Sequence, residues 1–207
     1  MTLADGLVRN EDGVVRCRWG GGEQPEYRAY HDHEWGLPVT EDVRLFERVS
    51  LEAFQSGLSW LTILRKREAF RTAFADFKPD AVARFGDRDV KRLLGDAAIV
   101  RHRAKIDATI ANARATVDLR DAGTPLHELV WSHRPASRPA PKSFADIPVH
   151  VPEAVALAKA LKKSGFRFVG PTTVYAAMEA CGLVNDHVAT CPSRQHFERL
   201  QAGMEVP

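Results

Sequence analysis

Several things are scarce in this chain of 207 residues, and each scarcity narrows the reading. There are three cysteines, Cys17, Cys181 and Cys191. An odd count, with no basic head and apolar stretch at Met1–Val15 to mark export, argues against a disulfide framework. Each cysteine is then either a small buried apolar residue or a metal ligand. No apolar run approaches the roughly 20 residues that a bilayer span needs, so no membrane partner is expected. With no export signal, the chain is expected in the cytosol. Net charge is only +2, so composition by itself does not point to a polyanion. No segment shows sustained period-two alternation, and there is no internal repeat.

What is present is a helical pattern over a chain that is 44% hydrophobic, enough for a core. Thr40 precedes Glu41 and Asp42, after which Val43, Phe46, Val49, Ala53 and Phe54 recur at helical spacing up to Gly57. Ser59 is placed to cap a second helix carrying Trp60, Ile63, Leu64 and Phe70. Short helical pieces follow from Asp80 to Gly86 and from Asp87 to Leu94. A long one runs from about His102 to Arg120, with Ile106, Ile110, Ala113 and Val117 on one face and Gly123 as its stop. Pro125 opens a short helix to Trp131. The prolines at 135, 139, 141, 148 and 152 then mark a loop, made basic by Arg134, Arg138 and Lys142. Helices resume from Pro152 to Lys163, from Pro171 to Ala180 and from Gln195 to Gln201. The expectation is an all-α fold of about eight helices with short connections.

Four groups of residues carry chemistry. Cys17 and His31 near one end, and His187 and Cys191 near the other, form a set suited to tetrahedral zinc. At this distance in sequence they are equally a chance pairing of buried residues. Trp19, Tyr27, Tyr30 and Trp35 fall in a Gly-rich, charged stretch. Presented from irregular backbone, they would line a pocket for a flat π-rich ligand, above all a cationic one; otherwise they are core. Glu52 lies among apolar neighbours and is either a solvated carboxylate or a buried acceptor for the N–H groups of a purine. Leu58, in the turn Gly57-Leu58-Ser59, is placed as a wedge into a base stack. From Arg65 to Arg120 there are 14 Lys and Arg against 8 Asp and Glu, within which Arg101, Arg103 and Lys105 follow the tight connection at 96–102. That junction is either a phosphate-binding hairpin or an ordinary basic helical surface.

Taken together, these strings resemble the type I 3-methyladenine DNA glycosylases of bacteria. The matching stretches are Arg-Cys-x-Trp at 16–19, Tyr-His-Asp-x-Glu-Trp-Gly at 30–36 and Leu-Glu-x-x-Gln-x-Gly-Leu-Ser-Trp at 51–60. Ile-x-Arg-His-Arg-x-Lys-Ile at 99–106, Gly-Phe-x-Phe-Val-Gly at 165–170 and Cys-Gly-Leu-Val-Asn-Asp-His at 181–187 continue the match in order. The resemblance implies a helix–hairpin–helix glycosylase fold and excision of N3-methyladenine from alkylated double-stranded DNA by a monomer. It implies one structural zinc on Cys17, His31, His187 and Cys191, joining the N- and C-terminal segments. It implies recognition of the base by Glu52, the catalytic candidate, and by Tyr30, with Trp60, Tyr27, Trp19 and Trp35 shaping the pocket. Two positions depart from the family pattern: Phe54 stands where many members have a second Gln, and Ala98 where the hairpin usually has Gly. Residues 1–12 have no counterpart, and residues 1–15 are expected to be a flexible extension. Residues 16–207 then form one domain, with a helical core over roughly 40–131 and a zinc-clamped part over 16–39 and 150–195.

Asp118 is spaced to be the sugar-stabilising acid of other helix–hairpin–helix glycosylases, but it lies on a polar helix face and reads as surface. No Lys is placed for Schiff-base chemistry, so a monofunctional enzyme leaving an abasic site is expected. A non-catalytic DNA-binding module of the same fold would need a disrupted Glu52 or aromatic set. A zinc hydrolase would need an open metal position, which two Cys and two His do not leave.

Overall fold

The computed structural model describes residue 3 and residues 6–203. The chain begins with a hairpin, β1 (Leu7–Arg9) and β2 (Val15–Cys17), paired antiparallel with Leu7 opposite Cys17. Ten helices follow. The first seven are α1 (Pro25–His33), α2 (Asp42–Gln55), α3 (Trp60–Ala73), α4 (Pro79–Val82), α5 (Asp87–Gly95), α6 (Arg103–Asp121) and α7 (Leu126–Trp131). The last three are α8 (Pro152–Lys163), α9 (Pro171–Ala180) and α10 (Pro192–Ala202). No helix among the described residues is long and apolar enough to cross a membrane.

Two expectations need correcting here. The fold is mostly helical rather than all-α, because Leu7–Arg9 forms a strand. For the same reason residues 7–15 are not a flexible extension. Leu7 is buried with Cys17, Val188 and Cys191 in a small second core, which gives the strand a reason to dock. Residues 1, 2, 4 and 5 of that stretch lie outside the described residues.

Helix boundaries follow the local signals closely. Ser59 caps α3 by accepting from the Thr62 N–H at 3.2 Å, and His102 caps α6 by accepting from the Lys105 N–H at 3.3 Å. Pro occupies the first turn of α1, α4, α8, α9 and α10.

The architecture is organised around α2. Every residue from Leu45 to Phe54 is buried, and α9, α6, α3 and α7 pack around it. A helix covered on all sides cannot hide its polar residues on a wet face. Glu47 therefore pairs with Arg44 (2.8 Å) and Arg71 (2.7 Å), and Arg48 pairs with Glu34 (3.0 Å). The second buried acid of α2, Glu52, has no ion pair or side-chain hydrogen bond among the described residues.

Phe54 is fully buried against Phe70 and Phe74, with ring centroids 4.6 and 5.9 Å away. Its departure from the family pattern thus falls in the core. Ala98 keeps a backbone conformation outside the left-handed region, so the hairpin at 96–102 does not require glycine there. Asp118 is exposed, as its helix face suggested. The two chain ends meet through close backbone approaches. At Gly182, φ +74°, an added Cβ would stand 2.6 Å from the Gly36 carbonyl oxygen, and at Gly20 it would stand 2.5 Å from the His31 ring. Gln201 of α10 donates to the Gly36 carbonyl at 3.0 Å.

Candidate active site

The cleft lies where α1, α2, α3 and α9 converge. Trp19, Tyr27, Tyr30, Trp35, Trp60 and Phe144 form its walls, and Glu52, Gln55, Ala176 and Glu179 complete the lining. Its volume of about 640 Å³ suits a small flat molecule. All six pocket residues expected from the sequence are brought together. Their setting differs from the expectation in one respect: Tyr27 and Tyr30 stand on helix α1, not on irregular backbone. The stretch has little helical periodicity because α1 is short and rich in charge and aromatics, but Pro25 at its first turn was a legible start signal.

The aromatic walls hold one another edge to face. Trp19 and Trp35 have centroids 4.8 Å apart at 81°, and Tyr30 meets Trp60 at 5.3 Å and 52°. The Tyr27 hydroxyl accepts from the Leu61 N–H at 3.1 Å, tying α1 to the start of α3. The Trp60 indole N–H is buried with no hydrogen-bond partner among the described residues.

Glu52 sits at the cleft with only 6% exposure. Burial pushes its carboxyl up to about 8, against a smaller downward pull from the Arg48 guanidinium. Burial likewise raises the Tyr30 phenol, so it stays neutral, while Arg48 lies 5.8 Å from the Tyr30 ring centre. An unpartnered buried carboxyl facing an aromatic cleft is a binding group awaiting a donor.

Glu179 and Arg48 were missed by the sequence reading. The signal that exposed Glu52, a lone carboxylate among apolar neighbours, is present at Glu179 as well.

Behind the cleft, Cys17, His31, His187 and Cys191 form a fully buried cluster whose potential ligand atoms lie within 4.8 Å of one another. The Cys191 sulfur is 3.7 Å from His31 Nε2 and 3.8 Å from His187 Nδ1, and the Cys17 sulfur is 3.8 Å from His187 Nδ1. Ligand bonds of roughly 2.0–2.3 Å in a tetrahedron put neighbouring donors about 3.6 Å apart, so the set fits a metal ion. The outer nitrogens are already engaged. His31 Nδ1 donates to Asp32 at 2.8 Å and His187 Nε2 donates to the Trp35 carbonyl at 2.9 Å, which leaves the inner nitrogens as lone-pair donors. Asp32 is fixed in turn by Arg16. Contact with Cys17 and the two imidazoles draws the Cys191 thiol down towards thiolate, and burial lowers His187 towards its neutral form. Both are the ligand-competent states. The cluster also carries the cleft, because Trp35 is held by His187 and Trp19 packs on His31 at 5.3 Å.

The DNA-facing residues divide. Leu58 is 38% exposed at the tip of the α2–α3 turn, where Gly57 takes φ +83°. Arg101 and Arg103 are exposed at the start of α6, with Arg103 in a surface pair with Asp107 at 2.8 Å. Lys105 does not fit the expectation. It is buried, and its ammonium donates to the carbonyls of Phe54 (2.8 Å) and Ser56 (2.6 Å). It faces inward because the α2 C-terminus leaves carbonyls there without partners. Lys105 is therefore corrected from a phosphate contact to a brace behind the Leu58 turn.

A helical domain that combines an aromatic, acid-lined cleft with an exposed basic junction at Arg101 and Arg103 has the parts needed to hold a flat base and a phosphate backbone. The methyladenine glycosylase family model matches residues 19–195, and the chain belongs to that family. DNA-3-methyladenine glycosylase 1 of Escherichia coli (strain K12) is 49% identical over 181 residues, spanning 86% of this chain and 96% of its own. The DNA-3-methyladenine glycosylase of Haemophilus influenzae is 41% identical over 184 residues, 87% of this chain and 98% of its own. A crystal structure of 3-methyladenine DNA glycosylase I superposes with a TM-score of 0.83 at 47% identity, covering 86% of this chain and 98% of that one. A Tyr-to-Phe variant of such an enzyme, crystallised with 3-methyladenine, superposes with a TM-score of 0.81 at 37% identity, covering 85% and 96%.

Proposed function

We propose that this chain excises 3-methyladenine from alkylated double-stranded DNA by hydrolysing its N-glycosidic bond, leaving an abasic site. The observation that carries the reading is Glu52, buried and unpartnered at an aromatic cleft. Methylation at N3 makes the base cationic, so it leaves as a neutral molecule. The C1′–N9 bond breaks with its electron pair going to the base, and water supplies the oxygen that bonds to C1′. The protein's task is then selection and placement more than acid catalysis. A flipped cationic base gains from the aromatic faces of Tyr30 and Trp60 and from a carboxylate accepting its N–H groups. A carboxyl that titrates near 8 is readily ionised when that cation enters.

Leu58 fills the gap left in the base stack, and Arg101 and Arg103 hold phosphates at the hairpin. The buried cluster suits zinc, which when bound supplies a structural cross-link with no open position for water. Cys17, His31, His187 and Cys191 would hold it, fixing the Trp19 and Trp35 walls. A monomer in the cytosol, acting at the nucleoid, completes the reading.

The test is chromatography of bases released from methylated DNA. Free 3-methyladenine above a buffer control is expected, and its absence would overturn the proposal.

A further inference from the structure

The connection between α8 and α9 reads Gly165-Phe166-Arg167-Phe168-Val169-Gly170, and its apolar side chains divide. Phe166 and Val169 are buried and anchor it to the core, whereas Phe168 between them is 41% exposed. The Phe168 backbone takes φ +55°, the left-handed region that a bulky side chain rarely adopts. Such a conformation is unfavourable and persists only where the surroundings enforce it. Here Asn112 of α6, itself buried, enforces it by clamping the preceding residue. Its amide donates to the Arg167 carbonyl at 3.1 Å, and its side-chain oxygen accepts from the Arg167 N–H at 2.7 Å. The fold therefore holds an aromatic ring outward at a position that glycine would fill with less strain.

The ring stands beside the hairpin. Phe168 meets the His102 ring edge to face, with centroids 6.4 Å apart at 78°. His102 is exposed, and its ring is fixed by capping α6 through the Lys105 N–H. Arg101 and Arg103 flank it, and Arg167 shares a surface hollow of about 320 Å³ with Arg103. Among the described residues, Arg101 and Arg167 have no ion pair. Lys105, in the same first turn of α6, reaches the carbonyls of Phe54 and Ser56 behind the Leu58 turn. The Leu58 turn, His102 and Phe168 thus gather around one helix start, with cations beside them.

We propose that Phe168 is a second apolar DNA contact, seated in the minor groove beside the nucleotide that Leu58 displaces, and that Arg167 holds a phosphate next to it. This rests on the chain acting on duplex DNA, as argued above. Duplex DNA matches the surface in two respects. Its phosphates suit the unpaired guanidinium groups, and the base steps loosened by a flipped nucleotide accept an apolar ring. A ring already held outward loses little freedom on binding.

The experiment measures binding to a duplex that contains a tetrahydrofuran abasic site, by fluorescence anisotropy over a range of salt concentrations. Wild type is compared with Phe168→Gly, Phe168→Asn, Phe168→Tyr and Arg167→Ala. Glycine and asparagine both tolerate the left-handed region, so two ring-free variants are available, and each should melt close to wild type. Both are expected to bind the duplex about tenfold more weakly, the order of one aromatic contact to nucleic acid, while Tyr stays within about twofold. Arg167→Ala should reduce the slope of log affinity against log salt by about one. Binding of free 3-methyladenine should be unchanged throughout, because the cleft is not touched. A folded ring-free variant that binds the duplex as tightly as wild type overturns the inference. So does an equal loss of affinity for the free base, which would place the effect in the cleft. A wild-type chain that shows the expected binding differences but releases no 3-methyladenine sinks the functional reading and upholds this one.

Discussion

Glu52→Gln replaces an acid that α2 buries without an ion-pair partner among the described residues by a neutral amide that does not titrate, so the protein should become more stable and less active at once. An unfolded glutamate titrates near 4.5 and this one near 8. Below pH 4.5 both states hold the proton and the residue is neutral to stability. As pH rises, the unfolded chain ionises first, so the native state loses ground until about pH 8, where the loss levels off. At pH 7 the cost to folding is about 3 kcal/mol. With roughly 2–4 °C per kcal/mol for a chain of this size, the variant should melt about 6–12 °C higher than wild type at pH 7. The gap should close by about pH 4.5, where the carboxyl is protonated in both states. In the same variant, 3-methyladenine release should fall about 10- to 100-fold, the worth of a hydrogen bond to a charged acceptor. The assays are melting across pH 4.5–8 and base release at neutral pH. A melting gap that does not change with pH would refute the claim that Glu52 is an unpaired buried acid. Unchanged release would refute its role at the base.

Other perturbations separate the remaining assignments. His187→Ala should lower bound zinc from about one per chain to nearly none, measured by elemental analysis, and should lower the melting temperature more than it slows the chemistry of residual folded protein. Lys105→Met should cost about 2 kcal/mol in urea denaturation, because the carbonyls of Phe54 and Ser56 lose a charged donor. A Lys105 free in solvent would leave stability unaltered and shift only the salt dependence of DNA binding. Leu58→Ala should slow release from duplex DNA while sparing single-stranded DNA and leaving the melting temperature alone. Equal loss on both substrates would count against the wedge. The pH profile of kcat/KM should rise towards about pH 8 in wild type and lose that limb in Glu52→Gln.

Most helices were legible because their signals are local. Ser59 announces α3, and the prolines announce α8 and α9, while α10 starts at Pro192, three residues before the expected Gln195. The strand Leu7–Arg9 was not, since three residues carry no periodicity and their stability comes from packing against Val188 and Cys191. Helix α1 was hidden for a related reason: its nine residues serve the cleft and the metal cluster rather than an apolar face. At the site, residue chemistry left Glu52 open between a solvated and a buried carboxyl and the aromatics open between core and pocket; the structure buries Glu52 and lines one cleft with all of them. Lys105 was misread because the same basic side chain suits a phosphate or an orphaned carbonyl, and only the position of the α2 end decides between them.

The sequence by itself determined where most of the helices start and stop, which residue types could bind a metal, and that a lone acid and a set of aromatics were present. These are properties of neighbours along the chain, carried by caps, periodicity and side-chain chemistry. Only the tertiary structure decided that Cys17 meets His187 across 170 positions and that, among the described residues, Glu52 has no ion-pair partner while Glu47 and Arg48 do. Pairing and burial depend on which distant segments share a volume, and no local pattern encodes the balance of desolvation and contact that results.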